Sequence, residues 1–391
     1  MAGMITLLCI FIVCSLAVWV IVGIRMHFIE GTFPPLSAES RMEEPYQGWP
    51  FVSVLVPGRN EERDVEACLA SLAAQDYPAY ELIFIDDEST DRTLELARRT
   101  LEPHPFARTI AGRPRPTGTW VGKSWALVQG VEEAKGDWLL FIDSDVVHHP
   151  LAMRKAMSMA IQMHVDALSI MPAIECVSFW EKIIMPLFAL LSTLVEPMDR
   201  ANHPDKRGSR LSGAFILIKR KVYEAAGGHR AISDQILEDM ALARNLKKQE
   251  RNIWLTYTTD LARTRMYDTF HDLWLGLNRL SFPMMKYSLL FLGAAWLAAL
   301  VGALTPWLAI GAGLAIRAQY PVLGLIFLLS GTAICAAIPL VLTKLFRVLK
   351  VSRGYAWLLP MAALVYCLAG TSSALRHYTG KGLGWKQRTY S

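Results

Sequence analysis

The chain has 391 residues, of which 53% are hydrophobic and 19% are charged, and its formal net charge is +5. Residues 287–391 carry nine basic and no acidic side chains, which leaves a net charge of −4 for residues 1–286. Four stretches hold no Asp, Glu, Lys or Arg: Met1–Ile24, Tyr287–Ile316, Ala318–Thr343 and Gly354–Leu375. This distribution excludes a purely soluble enzyme, a disordered chain and a disulfide-rich secreted domain. It also argues against nucleic acid as a partner, because the large soluble part is slightly acidic.

Each uncharged stretch is long enough to cross a bilayer, which takes about 20 apolar residues as a helix. The first stretch lacks the basic start and the small-residue cleavage site of a secretory signal. We therefore expect an uncleaved transmembrane anchor over residues 1–24, a linker over residues 25–50 and a C-terminal transmembrane region over residues 287–375. Arg25 follows the anchor, so the positive-inside rule places the next residues in the cytoplasm. The sequence thus predicts a multi-pass protein of the inner membrane with a cytoplasmic soluble domain.

The basic tail, residues 376–391, conflicts with a simple count of crossings. Three crossings after a cytoplasmic domain would leave the tail outside, whereas its four Lys and Arg residues favour the inside. Either one stretch does not span fully, with Pro306 or Pro360 breaking it into a re-entrant piece, or the tail departs from the rule. A further apolar run, Ile183–Val195, is too short to span and is either an interfacial or a core helix.

Strand and helix patterns alternate in the soluble part. Buried strands are predicted over residues 51–56, 81–85 and 138–142, and helices over 62–74 and 123–134. This alternation indicates an α/β fold with a mainly parallel sheet, in which ligands bind beyond the carboxyl ends of the strands. The sequence contains no GxGxxG and no P-loop motif, so nothing points to a dinucleotide or P-loop site.

Acidic pairs follow two of these strands. Asp143 and Asp145 come after WLLFI and could together hold Mg²⁺ or Mn²⁺ against a diphosphate, although a solvated turn is the alternative. Asp86 and Asp87 come after LIFI and could accept from a uracil imide or a ribose hydroxyl, or could only complement a helix N-terminus. His148 and His149 are possible further ligands, but exposed loop histidines are the more ordinary interpretation.

Two helix starts carry further candidates. Lys123 begins a helix after a glycine and could meet a phosphate, or it could be an ordinary solvated lysine. Glu238 and Asp239 lie in the first turn of a helix over residues 237–248, where one carboxylate could act as a general base on an acceptor hydroxyl. Acidic residues are also common in first turns for purely electrostatic reasons.

Five segments in fixed order resemble glycosyltransferases of family 2 with the GT-A fold. They are VSVLVPGRNEE, ELIFIDDESTD, GDWLLFIDSD, SGAFILIKR and ILEDMAL, and the resemblance covers about residues 51–286. The segments GTWVGKSWAL, GGH, TRMY and GKGLGWKQRTY are similar to those of membrane-bound transferases associated with hopanoids and carotenoids.

The resemblance implies a role for each matching position. Pro57, Asn60 and Glu61 would belong to the nucleotide loop, and Asp87, with Asp86, would contact the uridine. Asp143 and Asp145 would serve the metal and the sugar nucleotide, with Asp145 the favoured metal ligand. Asp239, in the Glu238–Asp239 pair, would be the base, and Gly213 would lie beside the donor sugar. Arg279 would meet the diphosphate, and Trp385, Lys386 and Arg388 would approach the site if the tail is cytoplasmic.

One departure concerns the Gln-x-x-Arg-Trp motif of many polymerising relatives. Here Gly276 stands in place of the Gln and Leu280 in place of the Trp. We therefore expect an inverting, metal-dependent transferase that moves one sugar from a UDP-sugar to a lipid hydroxyl of a hopanoid, carotenoid or glycerolipid. The alternatives are a processive polysaccharide synthase, a polyprenyl-phosphate glycosyltransferase, an inactive scaffold or a transporter. The sequence carries no signal for a particular sugar, lipid or oligomeric state.

Overall fold

A computed structural model describes residues 2–32, 35–42, 44–45, 48–118, 120–195, 201–203, 209–379, 383–385 and 388–390. The helices are α1 Ala2–Thr32, α2 Val65–Ala73, α3 Thr93–Leu101, α4 Gly122–Glu133, α5 Ala152–Gln162, α6 Phe179–Val195, α7 Arg220–Ala225, α8 Glu238–Lys248, α9 Phe270–Met284, α10 Leu289–Ile316, α11 Pro321–Val341, α12 Thr343–Val348 and α13 Leu359–Tyr378. Two 3₁₀ turns cover Gly228–Ile232 and Arg353–Leu358. The strands are β1 Val52–Gly58, β2 Tyr80–Asp86, β3 Ala107–Ala111, β4 Trp138–Ile142, β5 Val146–His148, β6 Ala167–Met171, β7 Ala173–Ile174, β8 Phe215–Lys219, β9 Ile253–Tyr257, β10 Ala262–Thr264, β11 Leu383–Trp385 and β12 Arg388–Tyr390.

The chain forms two compact units. One comprises residues 33–175 and 196–266, and the other comprises residues 1–32, 176–195 and 267–391. We call them the sheet unit and the helical unit. The domain limits expected from the sequence, 51–286 and 287–375, stay a prediction.

A seven-stranded sheet in the order β3-β2-β1-β4-β8-β6-β9 forms the sheet unit. Six of its strands share one direction, and only β8 runs against its neighbours β4 and β6. The predicted α/β fold with a mainly parallel sheet is therefore confirmed. Because β1, β2 and β4 are parallel neighbours, the loops that follow them lie at the same edge of the sheet.

Side chains of successive strand residues enter two cores, one on each face of the sheet. Val54, Leu82 and Phe84 belong to the first core, together with residues of α2, α3 and α5. Leu55 and Ile83 belong to the second, together with residues of α4 and α8. Burying a side chain of this size contributes about 1.5–3 kcal/mol. Burial on both faces explains why the sequences of these strands are continuously apolar. It also fixes the strands, and with them the loops at their ends.

A small second sheet lies beside the first in the sheet unit. Its order is β5-β10-β7, with β10 antiparallel to β5 and parallel to β7. β5 begins directly after Asp145, so β10 is placed next to the acidic segment that follows β4.

The helical unit contains four helices that are long and apolar enough to cross a membrane: residues 5–27, 289–316, 321–341 and 353–378. The Trp19 indole N–H donates to the Gly302 carbonyl, which joins α1 to α10 at 3.0 Å. A Cβ on Gly313 would lie 2.7 Å from the Gly324 carbonyl oxygen, so α10 and α11 pack with their backbones in close approach. The apolar run Ile183–Val195 forms most of α6.

Candidate functional site

The predicted acidic strand ends meet at one edge of the sheet. Pro57 in β1 lies opposite Ile85, and the next pair in register is Gly58 and Asp86. Asp143 follows β4, the other neighbour of β1. The parallel arrangement thus brings together carboxylates that are about 60 residues apart in the sequence.

The loops after β1 and β2 are tied to each other by polar contacts. The Asn60 N–H donates to Ser89 Oγ at 3.1 Å, and the Thr90 N–H donates to Asn60 Oδ1 at 2.9 Å. The Glu61 N–H donates to Thr93 Oγ1 at 2.7 Å. Asn60 has a φ of 52°, a left-handed conformation that asparagine tolerates better than most residues. Asn60 and Glu61 therefore shape this loop, and a contact with a nucleotide stays a prediction.

Asp86 offers a carboxylate oxygen that lacks a protein donor. Its side chain is buried, and Oδ2 accepts from the Ser89 N–H at 3.1 Å. Oδ1 is also buried and has no hydrogen-bond partner among the described residues. A buried polar atom without a hydrogen-bond partner lowers the free energy of unfolding by about 1–3 kcal/mol. Asp87 is buried beside it, and its backbone N–H donates to the Gly58 carbonyl at 2.8 Å.

Lys123 bridges two carboxylates that come from different elements. Its Nζ lies 2.6 Å from Asp143 Oδ1 and 2.5 Å from Glu238 Oε1. Burial opposes the charge of this ammonium group, but the two carboxylates outweigh burial and raise the pKa of Lys123. A Cβ on Gly213 would lie 2.9 Å from Nζ, so a residue with a side chain would crowd the ion pairs. Lys123 is therefore a fixed link between the end of β4 and the start of α8, and not a solvated lysine.

Asp239 is held by two backbone donors. Oδ2 accepts from the Gly213 N–H at 3.0 Å, and Oδ1 accepts from the Met240 N–H at 2.7 Å. Burial and the charge of Glu238 raise the pKa of Asp239 to about 6, against the opposing effects of Lys123 and the two N–H groups. A carboxylate with this pKa is ionised at neutral pH and is a stronger base than an ordinary aspartate.

Asp145 faces the second sheet. The Thr264 hydroxyl, on β10, donates to Asp145 Oδ2 at 3.3 Å. In the described part of the chain, no three His, Cys, Asp or Glu side chains cluster as a complete metal cage. Mg²⁺ and Mn²⁺ commonly take only one or two carboxylates, and water and phosphate oxygens complete their shell. Asp143 and Asp145 supply oxygens of the kind that these ions prefer, and a cation held by both stays a prediction.

His148 differs from expectation, because it is not an exposed loop histidine. It ends β5 in a buried position, and its ring centroid lies 5.9 Å from that of Phe215. Burial lowers its pKa to about 3, so the ring is neutral at physiological pH. Neither ring nitrogen has a hydrogen-bond partner among the residues described. His149 accepts from the Leu151 N–H at 3.2 Å and shapes the following turn.

The Gly227-Gly228-His229 segment packs against Tyr223, and the charge of Lys123 acts on His229. These contacts could not be predicted from the sequence. His229 is buried; its N–H donates to the Tyr223 hydroxyl at 3.0 Å, and its Nδ1 lies 2.8 Å from the same oxygen. Burial first, and then the charge of Lys123, lower the pKa of His229 to about 3. Gly228 has a φ of +51°, and a Cβ there would meet the Tyr223 ring at 2.5 Å. Glycine is therefore required at this position.

Four predicted residues, Arg279, Trp385, Lys386 and Arg388, belong to the helical unit, and Lys386 lies outside the described residues. Arg279 lies in α9 and is partly buried. Trp385 and Arg388 lie in the hairpin β11–β12, and their side chains are outside the described part of the structure. At Gly276, a Cβ would collide with the ring of Tyr267. Tyr267 thus fills the space that a glutamine at this position would need, which accounts for the departure from Gln-x-x-Arg-Trp.

The chain is similar to known glycosyltransferases. The family model described as glycosyl transferase family 2 matches residues 53–227. The 4,4'-diaponeurosporenoate glycosyltransferase of Staphylococcus haemolyticus (strain JCSC1435) is 27% identical over 220 residues, which are 56% of this chain and 57% of that protein. Its counterpart in Staphylococcus aureus (strain USA300) is 26% identical over 219 residues, 55% of this chain and 56% of that protein. The chain therefore matches little more than half the length of these relatives.

One solved structure is similar along nearly the whole chain. It is a mannosyltransferase from Pyrobaculum calidifontis in complex with GDP-Man and Mn²⁺. The TM-score is 0.54 at 17% identity, with 96% of this chain and 99% of that chain covered. At this identity the similarity concerns the fold.

Proposed function

We propose that the chain is a family-2 glycosyltransferase of the GT-A fold that transfers a single sugar from a UDP-sugar to a hydroxyl group of a membrane lipid, with inversion at the anomeric carbon. The observation that carries this proposal is the carboxylate of Asp239. It is held by two backbone N–H groups and has a pKa near neutrality. Such a group can take the proton of an acceptor hydroxyl as that oxygen attacks the anomeric carbon.

The donor side of the proposal rests on the loops after β1 and β2. The buried Asp86 Oδ1 lacks a donor among the described residues, and a uracil imide N–H or a ribose hydroxyl would supply one. Asp87 is buried next to it and can take part in the same contact. Pro57, Asn60 and Glu61 belong to the end of β1 and the loop after it, and we expect them to contact the nucleotide.

Asp145 and Asp143 are the residues that would hold a divalent cation, with Asp145 as the main ligand because Asp143 is already paired with Lys123. A bound Mg²⁺ or Mn²⁺ would neutralise the charge that develops on the departing diphosphate. Lys123 adds a fixed positive charge beside Asp143, and through Glu238 it holds the first turn of α8, which carries Asp239. Gly213 lies against these groups, and we expect the donor sugar to bind beside it.

Two observations support a lipid as the acceptor: the candidate membrane helices and the names of the similar staphylococcal enzymes. Four described helices can cross a bilayer by length and composition, which would keep a water-insoluble acceptor near the enzyme. The relatives are named for 4,4'-diaponeurosporenoate, a carotenoid-type compound. We place the protein in the inner membrane with the sheet unit in the cytoplasm, on the basis of Arg25 and the positive-inside rule.

The test is transfer of labelled sugar from a panel of UDP- and GDP-sugars to membrane lipid extracts by the purified full chain. Activity is expected with a UDP-sugar and a divalent cation, and it should be lost in Asp239→Asn. Asp234→Asn is the matched control, because Asp234 is an exposed carboxylate that accepts a hydrogen bond from the neighbouring Gln235 side chain. Undiminished transfer by Asp239→Asn would refute the proposed base, and transfer from GDP-sugars alone would refute the proposed donor.

A further inference from the structure

Helix α13 runs opposite to α10, which is unexpected for a chain with four successive crossings. A Cβ on Gly370 would lie 3.0 Å from Leu292 and 3.2 Å from the Trp296 indole nitrogen, near the start of α10. Trp357, in the 3₁₀ turn before α13, lies 5.8 Å by ring centroid from Trp307, much further along α10. If α1, α10, α11 and α13 crossed the bilayer in turn, the second and fourth crossings would be parallel. The packing is antiparallel.

The end of α13 returns to the start of α10. The Phe282 N–H, in α9, donates to Ser373 Oγ at 3.3 Å. The His377 ring lies 4.8 Å from that of Tyr287, the residue at which the uncharged stretch of α10 begins. The tail that follows α13 therefore leaves from the place where the chain enters α10, because α13 ends beside the junction of α9 and α10.

Helix α9 accompanies α13, and α9 cannot cross a bilayer. At its first residue the Phe270 ring lies 4.6 Å from that of Trp180 in α6, whose neighbour Phe179 lies 6.3 Å from Tyr355 just before α13. At its other end α9 meets α13 through Phe282. Its 15 residues span about 22 Å, less than the bilayer core of about 30 Å. It also carries Asp272 and Arg279, and a charged side chain at the bilayer centre costs at least about 2.5 kcal/mol.

Up to Leu375 the exposed surface of α13 is one apolar stripe, and the exposed residues Arg376, His377 and Tyr378 end the helix. The exposed residues Trp357, Met361, Leu364, Leu368 and Leu375 follow each other at helical spacing. The residues between them, such as Ala362, Ala363, Tyr366 and Ala369, are buried against the protein. This stripe is the part of α13 that lipid would contact.

We infer that α13 does not carry the chain to the far side of the membrane: it runs back along α10, and the tail stays on the membrane side from which α10 enters. This is also the side on which the chain leaves residue 266 of the sheet unit, because α9, the 15-residue helix that leads from there to α10, is too short to span. The inference removes the charge conflict of the tail, whose basic side chains then face the cytoplasm and its anionic lipids. It rests on the membrane insertion proposed above, but not on the transfer reaction.

Cysteine labelling in intact and opened cells tests this topology. Single substitutions would be placed at three positions of the full chain: Glu102→Cys in the sheet unit, Gln319→Cys in the turn between α10 and α11, and Ser391→Cys in the tail. Glu102 and Gln319 are exposed, so the substitutions should not disturb folding. Labelling with a membrane-impermeant maleimide is compared with that of the unsubstituted chain, whose own six cysteines give the background.

The expected result is that Gln319→Cys labels in intact cells, whereas Glu102→Cys and Ser391→Cys label only after the cells are opened. Labelling of Ser391→Cys in the compartment opposite to Glu102→Cys would overturn the inference. So would labelling of all three cysteines in one compartment, because α10 and α11 would then not cross. If Glu102→Cys and Ser391→Cys both label in intact cells, the cytoplasmic orientation fails while the shared side of the tail and the sheet unit holds.

Discussion

Asp239→Asn should make the protein less active and, at neutral pH, more stable. The folded protein raises the pKa of Asp239 from 3.8 to about 6, which corresponds to about 3 kcal/mol of cost for keeping this carboxylate ionised. The penalty is absent below pH 3.8, grows between pH 3.8 and about 6, and is complete above that. Asparagine removes it, but its amide nitrogen cannot accept one of the two backbone N–H bonds, which costs about 1 kcal/mol. The net gain at pH 8 is therefore about 2 kcal/mol.

The catalytic consequence has the opposite sign. Asp239 must be deprotonated to act as a base, so wild-type activity should fall as the pH drops through about 6. Asparagine cannot take a proton, and loss of a general base typically costs about a hundred- to ten-thousand-fold in rate. The combination of lower activity and higher stability distinguishes a strained functional carboxylate from a structural one.

The assay is thermal unfolding of the full chain in detergent at several pH values, alongside sugar transfer. The melting temperature of Asp239→Asn should exceed that of the wild type at pH 8, and the difference should vanish near pH 4. Asp234→Asn, at an exposed position, should change neither quantity. A variant that is less stable than the wild type at both pH values would refute the reasoning, because the carboxylate would then contribute a favourable interaction.

Three further outcomes are expected. Lys123→Met should destabilise the protein by about 3 kcal/mol or more, since it leaves Glu238 buried without its cation, whereas Lys221→Met on the surface should be neutral in thermal unfolding. Asp145→Asn should weaken Mn²⁺ binding measured by electron paramagnetic resonance, and unchanged binding would exclude it as a ligand. Gly276→Gln should prevent stable folding because its side chain collides with Tyr267, and a soluble, active variant would contradict this packing.

The acidic residues of the site could be identified from the sequence because local patterns fix them. Asp86 and Asp143 end or follow apolar strands, and parallel strands must present their carboxyl ends at one edge. Their partners could not be identified in this way. From the sequence, Lys123 could equally be a phosphate ligand or a solvated residue. Its partners Asp143 and Glu238 are about 20 and 115 residues away in the chain, so no local pattern indicates these ion pairs.

His148 is buried, although its local sequence indicates an exposed position. A histidine after an acidic turn has the sequence context of an exposed loop residue. It is buried because β5 pairs with β10, a strand more than 100 residues later in the chain. Burial is a property of the assembled sheets, so a local pattern cannot reveal it.

Composition and periodicity by themselves determined the α/β fold, the acidic sheet edge and the four apolar helices, because each depends on residues that are close in sequence. Tertiary structure alone decided that Lys123 links two carboxylates, that Tyr267 takes the place of a glutamine at position 276, and that α13 packs antiparallel to α10. These features arise from contacts between distant segments. Hydrophobic length shows that a helix could span a membrane, but only its neighbours fix the direction in which it runs.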